Sequence, residues 1–83
     1  MKLQNSLKKI RKSQKITQSE LAKKVGVSRQ SIYSIENQKS EPSLVLALKM
    51  ALALDIALDE LFWLDKVARK SSDDEEISPF TIF

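Results

Sequence analysis

An all-α domain is predicted from three observations. The 83 residues include one Gly and two Pro, too few for the many turns of an all-β fold. Apolar residues recur at three- and four-residue spacing. Ser and Thr stand where those periodic runs begin, as helix caps do. Hydrophobic residues make up 42% and charged residues 30%, a balance that fits one small globular domain.

The first helix is expected from about Asn5 to Ser13 or Gln14, with Leu3, Leu7 and Ile10 as its apolar stripe. The second starts after Thr17, which lies three residues before Glu20 in capping-box spacing. Ile16 and Leu21 stand where a hydrophobic staple would pair them, and Leu21, Ala22 and Val25 face inward. Gly26 ends this helix, because a left-handed residue is least costly without a Cβ. The third helix follows the cap Ser28 and ends near Asn37, with Ile32 and Ile35 inward.

Pro42 marks the start of a fourth helix over about Ser43–Leu54. Leu44, Ala47, Leu48, Ala51 and Leu54 fit its inward pattern. Val45, Leu46, Met50, Leu52 and Ala53 are apolar too, so part of this helix is a candidate subunit interface. A short fifth helix is expected over about Leu58–Phe62, with Asp59 and Glu60 in its first turn. Beyond it, Leu64, Val67 and Ala68 can extend a helix, or Phe62–Leu64 can form a strand. Residues 1–66 read as the folded domain and 67–83 as an acidic tail. Its SSDDEE run has no apolar residue and predicts disorder.

Charge is uneven. Residues 1–40 carry ten Lys or Arg against Glu20 and Glu36, a net +8, whereas residues 41–83 carry a net −5. The basic half suits a polyanion. For Lys8, Lys9 and Lys12 alone, a solvated face is the favoured reading.

With no Cys and no His, the chain lacks disulfides, thiolate metal ligands and the commonest general base. There is no phosphate-binding Gly loop either. An enzyme is therefore not expected, nor is a cofactor or a metal. The N-terminus has no apolar h-region of a signal peptide. The longest apolar run is far short of the roughly 20 residues a bilayer requires. A cytoplasmic, nucleoid-associated protein of bacterial or phage type is the expectation.

Residues 17–37, TQSELAKKVGVSRQSIYSIEN, resemble the lambda-repressor/Cro type of helix-turn-helix, the xenobiotic-response-element family. Thr17, Gln18, Glu20, Leu21, Ala22, Gly26, Val27, Ser28, Ile32, Glu36 and Asn37 occupy the pattern's positions. The PSLVLALKMALAL and LDELF segments after it are similar to the family's as well, so the resemblance spans about Leu3–Phe62. It implies a compact five-helix DNA-binding domain. In some short relatives a strand before the first helix pairs with one after the fifth, and Met1–Gln4 with Phe62–Leu64 are the segments for such a ribbon.

The third helix then supplies base contacts in the major groove. Arg29 suits guanine O6 and N7, and Gln30 suits adenine N6 and N7. Tyr33 and Ser34, one turn on, reach flanking bases or phosphates. By resemblance, Gln18 bonds a phosphate and braces Gln30. Ser28, Arg11, Asn37 and Lys39 are the other phosphate candidates. Glu36 reads as a structural partner, for Arg11, rather than a base reader.

A single recognition helix covers few base pairs, so a homodimer on a palindromic double-stranded DNA operator is expected. Its interface candidates are Leu46, Met50, Leu52, Phe62, Trp63 and Leu64. The function implied is a transcriptional regulator, most simply a repressor. The second reading is an antitoxin or partner-binding regulator of the same fold, whose tail 71–83 engages a second protein.

Overall fold

The computed structural model describes residues 2–65. The order is β1 (Leu3–Asn5), α1 (Leu7–Ser13), α2 (Gln18–Val25), α3 (Arg29–Glu36), α4 (Leu44–Leu54), α5 (Leu58–Leu61) and β2 (Phe62–Leu64). Five helices and a terminal ribbon match the expected architecture. The strands pair antiparallel, with Leu3 opposite Leu64, Gln4 opposite Trp63 and Asn5 opposite Phe62. The tail 67–83, with the disorder and partner binding read from it, lies outside the described residues.

The N-terminus corrects one expectation. Asn5 lies in β1, and α1 begins only at Leu7. Asn5 Oδ1 accepts from the Leu7 amide at 3.0 Å, while its Nδ2 donates to the Ile35 carbonyl at 3.0 Å. Ser6 continues the crossing, donating its amide to the Leu61 carbonyl at 3.0 Å. These long-range bonds hold extended backbone where helical spacing alone included Leu3 and Asn5 in the helix region. Leu3 packs on the core from the strand instead.

The helix starts are as the capping residues require. Thr17 Oγ1 accepts from the Glu20 amide at 3.0 Å, and Glu20 Oε1 accepts from the Thr17 amide at 2.8 Å. Ser28 and Ser43 cap α3 and α4, each accepting from the amide three residues on at 3.1 Å. At the turn between α2 and α3, Gly26 has φ of +76°. A Cβ built there would meet nothing within 4 Å, so the backbone angle, not space, favours glycine.

Gly26→Ala should therefore lower stability by about 1 kcal/mol. Left-handed strain of about 1–2 kcal/mol is partly offset by a stiffer unfolded chain. Urea denaturation would show a lower midpoint at unchanged slope. An unchanged midpoint would contradict the strain account.

Leu7, Leu21, Ile32, Met50, Leu54 and Leu61 are fully buried and draw all five helices onto one core. Ala22, Ala47 and Ala51 are buried beside them, and their small side chains let α2 lie against both α3 and α4. Gln14 Nε2 donates to the Leu54 carbonyl at 2.6 Å and ties the end of α1 to that of α4.

The fourth helix buries Ala47, Ala51 and Leu54 as predicted, but its inward face is rotated so that Met50 joins them in place of Leu44 and Leu48. Ala47, Met50, Ala51 and Leu54 are buried, whereas Leu44 is 68% and Leu48 44% exposed. An almost wholly apolar helix has no polar side for periodicity to register. Met50 is thereby removed from the candidate interface, since it is completely buried in its own chain. Phe62 is removed likewise: it points to the core, and the pleat turns its neighbour Trp63 outward. No helix among the described residues is long and apolar enough to cross a membrane.

Candidate nucleic-acid interface

Alternation around α3 sorts its residues. Ile32 and Ile35 are buried, which leaves Arg29, Gln30 and Tyr33 exposed on the other side and Ser34 half-buried. A helix of eight residues is about 12 Å long, comparable with the width of a B-DNA major groove. The predicted base-reading residues thus lie together on one outward face of a helix that can enter that groove.

Behind this face runs a chain of polar contacts that starts in the core. Arg11 Nε donates to Glu36 Oε2 at 2.6 Å and its Nη2 to Glu36 Oε1 at 3.3 Å. Its Nη1 donates to the Ile16 carbonyl at 2.8 Å. Glu36 Oε1 also accepts from Gln18 Nε2 at 3.0 Å. Gln18 Oε1 in turn accepts from Arg29 Nη1 at 2.9 Å. The order of charges sets the Gln18 amide, because a flipped amide would aim its oxygen at a carboxylate and its NH2 at a guanidinium. One Arg29 donor is held and the rest of its guanidinium fork stays available for a planar acceptor pair.

Two expectations are corrected by this chain. Arg11 is not placed for a phosphate: its side chain is 8% exposed and its donors are turned inward to Glu36 and Ile16. A buried guanidinium needs those partners to offset its desolvation. The pairing of Glu36 with Arg11, by contrast, is the one anticipated. The residue braced by Gln18 is Arg29, not Gln30: the amide oxygen left over once Glu36 holds the NH2 accepts from Arg29 Nη1.

The remaining phosphate candidates flank α3. At its start, Gln18 is half-buried, and Ser28 Oγ lies 3.1 Å from Ser31 Oγ. Ser31 adds a second hydroxyl there, and its position three residues after a serine cap is the sequence signal for it. At the other end, Asn37 Nδ2 donates to the Tyr33 carbonyl at 2.8 Å. Lys39 Nζ stands 5.6 Å from the centre of the Tyr33 ring, within cation–π range. Gln38, at φ of +59°, donates to the Leu3 carbonyl at 3.1 Å and joins the loop after α3 to the ribbon. Nothing in its residue type signals that role. Among the described residues, no group of three or more His, Cys, Asp or Glu is placed to hold a metal.

Comparison with known proteins agrees with this geometry. A helix-turn-helix family model matches residues 7–61. An uncharacterized HTH-type transcriptional regulator of Methanocaldococcus jannaschii is 45% identical over 60 residues, covering 72% of this chain and 91% of that protein. A counterpart in Bacillus subtilis is 36% identical over 64 residues, covering 77% and 97%. Among solved structures, the restriction-modification controller protein C.AhdI from Aeromonas hydrophila superposes with a TM-score of 0.62 at 35% identity, covering 65% of this chain and 82% of that one. With α2, the Gly26 turn and α3 assembled as described, the chain belongs to the Cro-type helix-turn-helix family of DNA-binding transcriptional regulators.

Proposed function

We propose that the protein is a dimeric repressor that reads a palindromic operator with α3 in the major groove. The observation that carries this reading is the outward face of α3, with Arg29 pre-positioned by Gln18 at its N-terminal end. Arg29 pairs with a guanine, Gln30 with an adenine, and Tyr33 and Ser34 meet flanking bases or backbone. Gln18, Ser28, Asn37 and Lys39 hold phosphates on either side. Repression needs nothing beyond occupancy of a site, which makes it the simplest outcome for such a domain.

Dimerisation is supported by apolar surface that the monomer leaves open. Leu44, Val45, Leu48 and Leu52 on α4 and Trp63 and Leu64 on β2 are all exposed. A run of large exposed apolar side chains on one small domain marks an interaction surface. Leu46, half-buried, borders the α4 part. Of the six interface candidates, the proposal keeps the accessible ones, Leu46, Leu52, Trp63 and Leu64.

Selection of bound sequences from a random duplex pool tests the whole reading. The expected product is a palindrome whose half-sites lie about 34 Å apart centre to centre, one turn of B-DNA. Enrichment of a single, non-repeated half-site would overturn the dimeric reading. A failure to enrich any sequence would overturn specific recognition by α3.

A further inference from the structure

The last carbonyls of a helix have no donors within it, and in a helix of eight residues they are a large share of the backbone. Three of those of α3 are met just beyond its end. The Tyr33 carbonyl accepts from the Asn37 amide at 3.1 Å and from Asn37 Nδ2 at 2.8 Å. The Ser34 carbonyl accepts from the Lys39 amide at 2.8 Å. The Ile35 carbonyl accepts from the Gln38 amide at 3.1 Å and, from thirty residues away, from Asn5 Nδ2 at 3.0 Å.

Two side chains carry this end of α3 across to β1. Asn5 donates to Ile35 while its Oδ1 accepts from the Leu7 amide at 3.0 Å, so its amide is fixed at both atoms. Gln38 sends its Nε2 to the Leu3 carbonyl at 3.1 Å and to Gln4 Oε1 at 3.0 Å. Leu3, Gln4 and Asn5 thus each hold α3 or the loop that leaves it. The strand is a firm support, because it pairs with β2 along its length and the Lys2 carbonyl accepts from the Asp65 amide at 2.8 Å.

The two ends of α3 are therefore anchored differently. At the N-terminal end, Ser28 caps the helix and Gln18 of α2 holds Arg29. At the C-terminal end, Glu36 adds a side-chain tie to Arg11 and Gln18, but the backbone is held from β1. Tyr33, Ser34, Asn37 and Lys39 all belong to this second end.

We infer that Asn5 and Gln38 are positioning residues for DNA recognition, which set from β1 the tilt of the C-terminal half of α3 and the reach of Tyr33 and Ser34. This rests on the reading of α3 as the recognition helix. Both residues act through α3 and not on the bases.

Amide hydrogen exchange of the DNA-free, full-length protein tests the clamp. Gln38→Ala removes the bonds to β1 and keeps a Cβ at the positive φ. Asn5→Asp keeps the acceptor for Leu7 and removes the donor to Ile35. In each variant the amides of residues 37–39 should exchange roughly 2- to 10-fold faster relative to their intrinsic rates, the factor that one net hydrogen bond contributes. The Ser31 and Ile32 amides should keep their wild-type protection.

Selection from a random duplex pool then reads recognition. Preference should relax at the base pairs that Tyr33→Ala also relaxes and hold at the one that Arg29→Ala relaxes, with affinity roughly 2- to 30-fold lower. Gln14→Ala, which removes a bond of the same kind between α1 and α4, should lower stability and leave base preference unchanged. Wild-type exchange in both variants would overturn the inference. So would faster exchange with wild-type base preference, which would make the clamp purely structural. Faster exchange in a protein whose wild type enriches no sequence would uphold the clamp and overturn recognition by α3 instead.

Discussion

Replacing Glu36 with Gln should destabilise the domain by about 3–5 kcal/mol, the cost typical of leaving one member of a buried ion pair without its partner. The side chains of Arg11 and Glu36 are 8% and 1% exposed, so water cannot replace the lost carboxylate. Domains are typically stable by only about 5–15 kcal/mol, so this single change removes a large part of the total. Urea denaturation followed by circular dichroism reads it as a sharply lower midpoint. The double variant Arg11→Met, Glu36→Leu should recover most of the loss, because it removes both charges together and leaves none unpaired. If Glu36→Gln alone cost under about 1 kcal/mol, the pair would have to be hydrated rather than buried.

For DNA binding, the largest expected effect belongs to Arg29→Ala. Loss of a bidentate guanine contact costs about 1–3 kcal/mol per half-site, roughly 5- to 150-fold in affinity. The preference at one base pair of each half-site should relax while the others hold. Stability should be unchanged, since Arg29 is exposed on α3. Lys39→Ala offers the contrast. It should weaken all sequences alike and reduce the salt-dependence slope by about one. Titrations of the selected operator and its single-base variants at several salt concentrations separate the two. Wild-type affinity and selectivity in Arg29→Ala would refute the docking of α3.

The two predictions meet in one set of contacts. Arg11 holds Glu36, Glu36 holds the Gln18 amide, and Gln18 holds Arg29. A change at Glu36 that the fold survives should therefore also loosen Arg29 and reduce base selectivity. The helix proposed to read DNA is positioned in part by a charge pair within the protein, a link between packing and recognition.

Much of this molecule is written locally in its sequence. Thr17 with Glu20, Ser28, Ser43 and Gly26 set helix boundaries through bonds and backbone angles that involve only near neighbours. Ile32 and Ile35 then determine which side of α3 is buried, and so which residues face outward. Those determinants act over three or four residues, which is why capping and periodicity reveal the helix-turn-helix and its outward face directly.

Other features depend on partners far along the chain. Asn5 is extended because it bonds Ile35, thirty residues away. Met50, rather than Leu44 or Leu48, enters the core because α4 rotates to meet its neighbours, a choice an all-apolar helix does not encode by pattern. Arg11 is turned inward by Glu36, twenty-five residues distant, and Gln18 takes Arg29 rather than Gln30 as its partner. The sequence by itself determined where α2 and α3 begin and end and which face of α3 is polar, since those are short-range matters. Only the tertiary structure decided which buried groups pair and which apolar face is covered, because desolvation and hydrogen-bond geometry are settled between segments the chain keeps far apart.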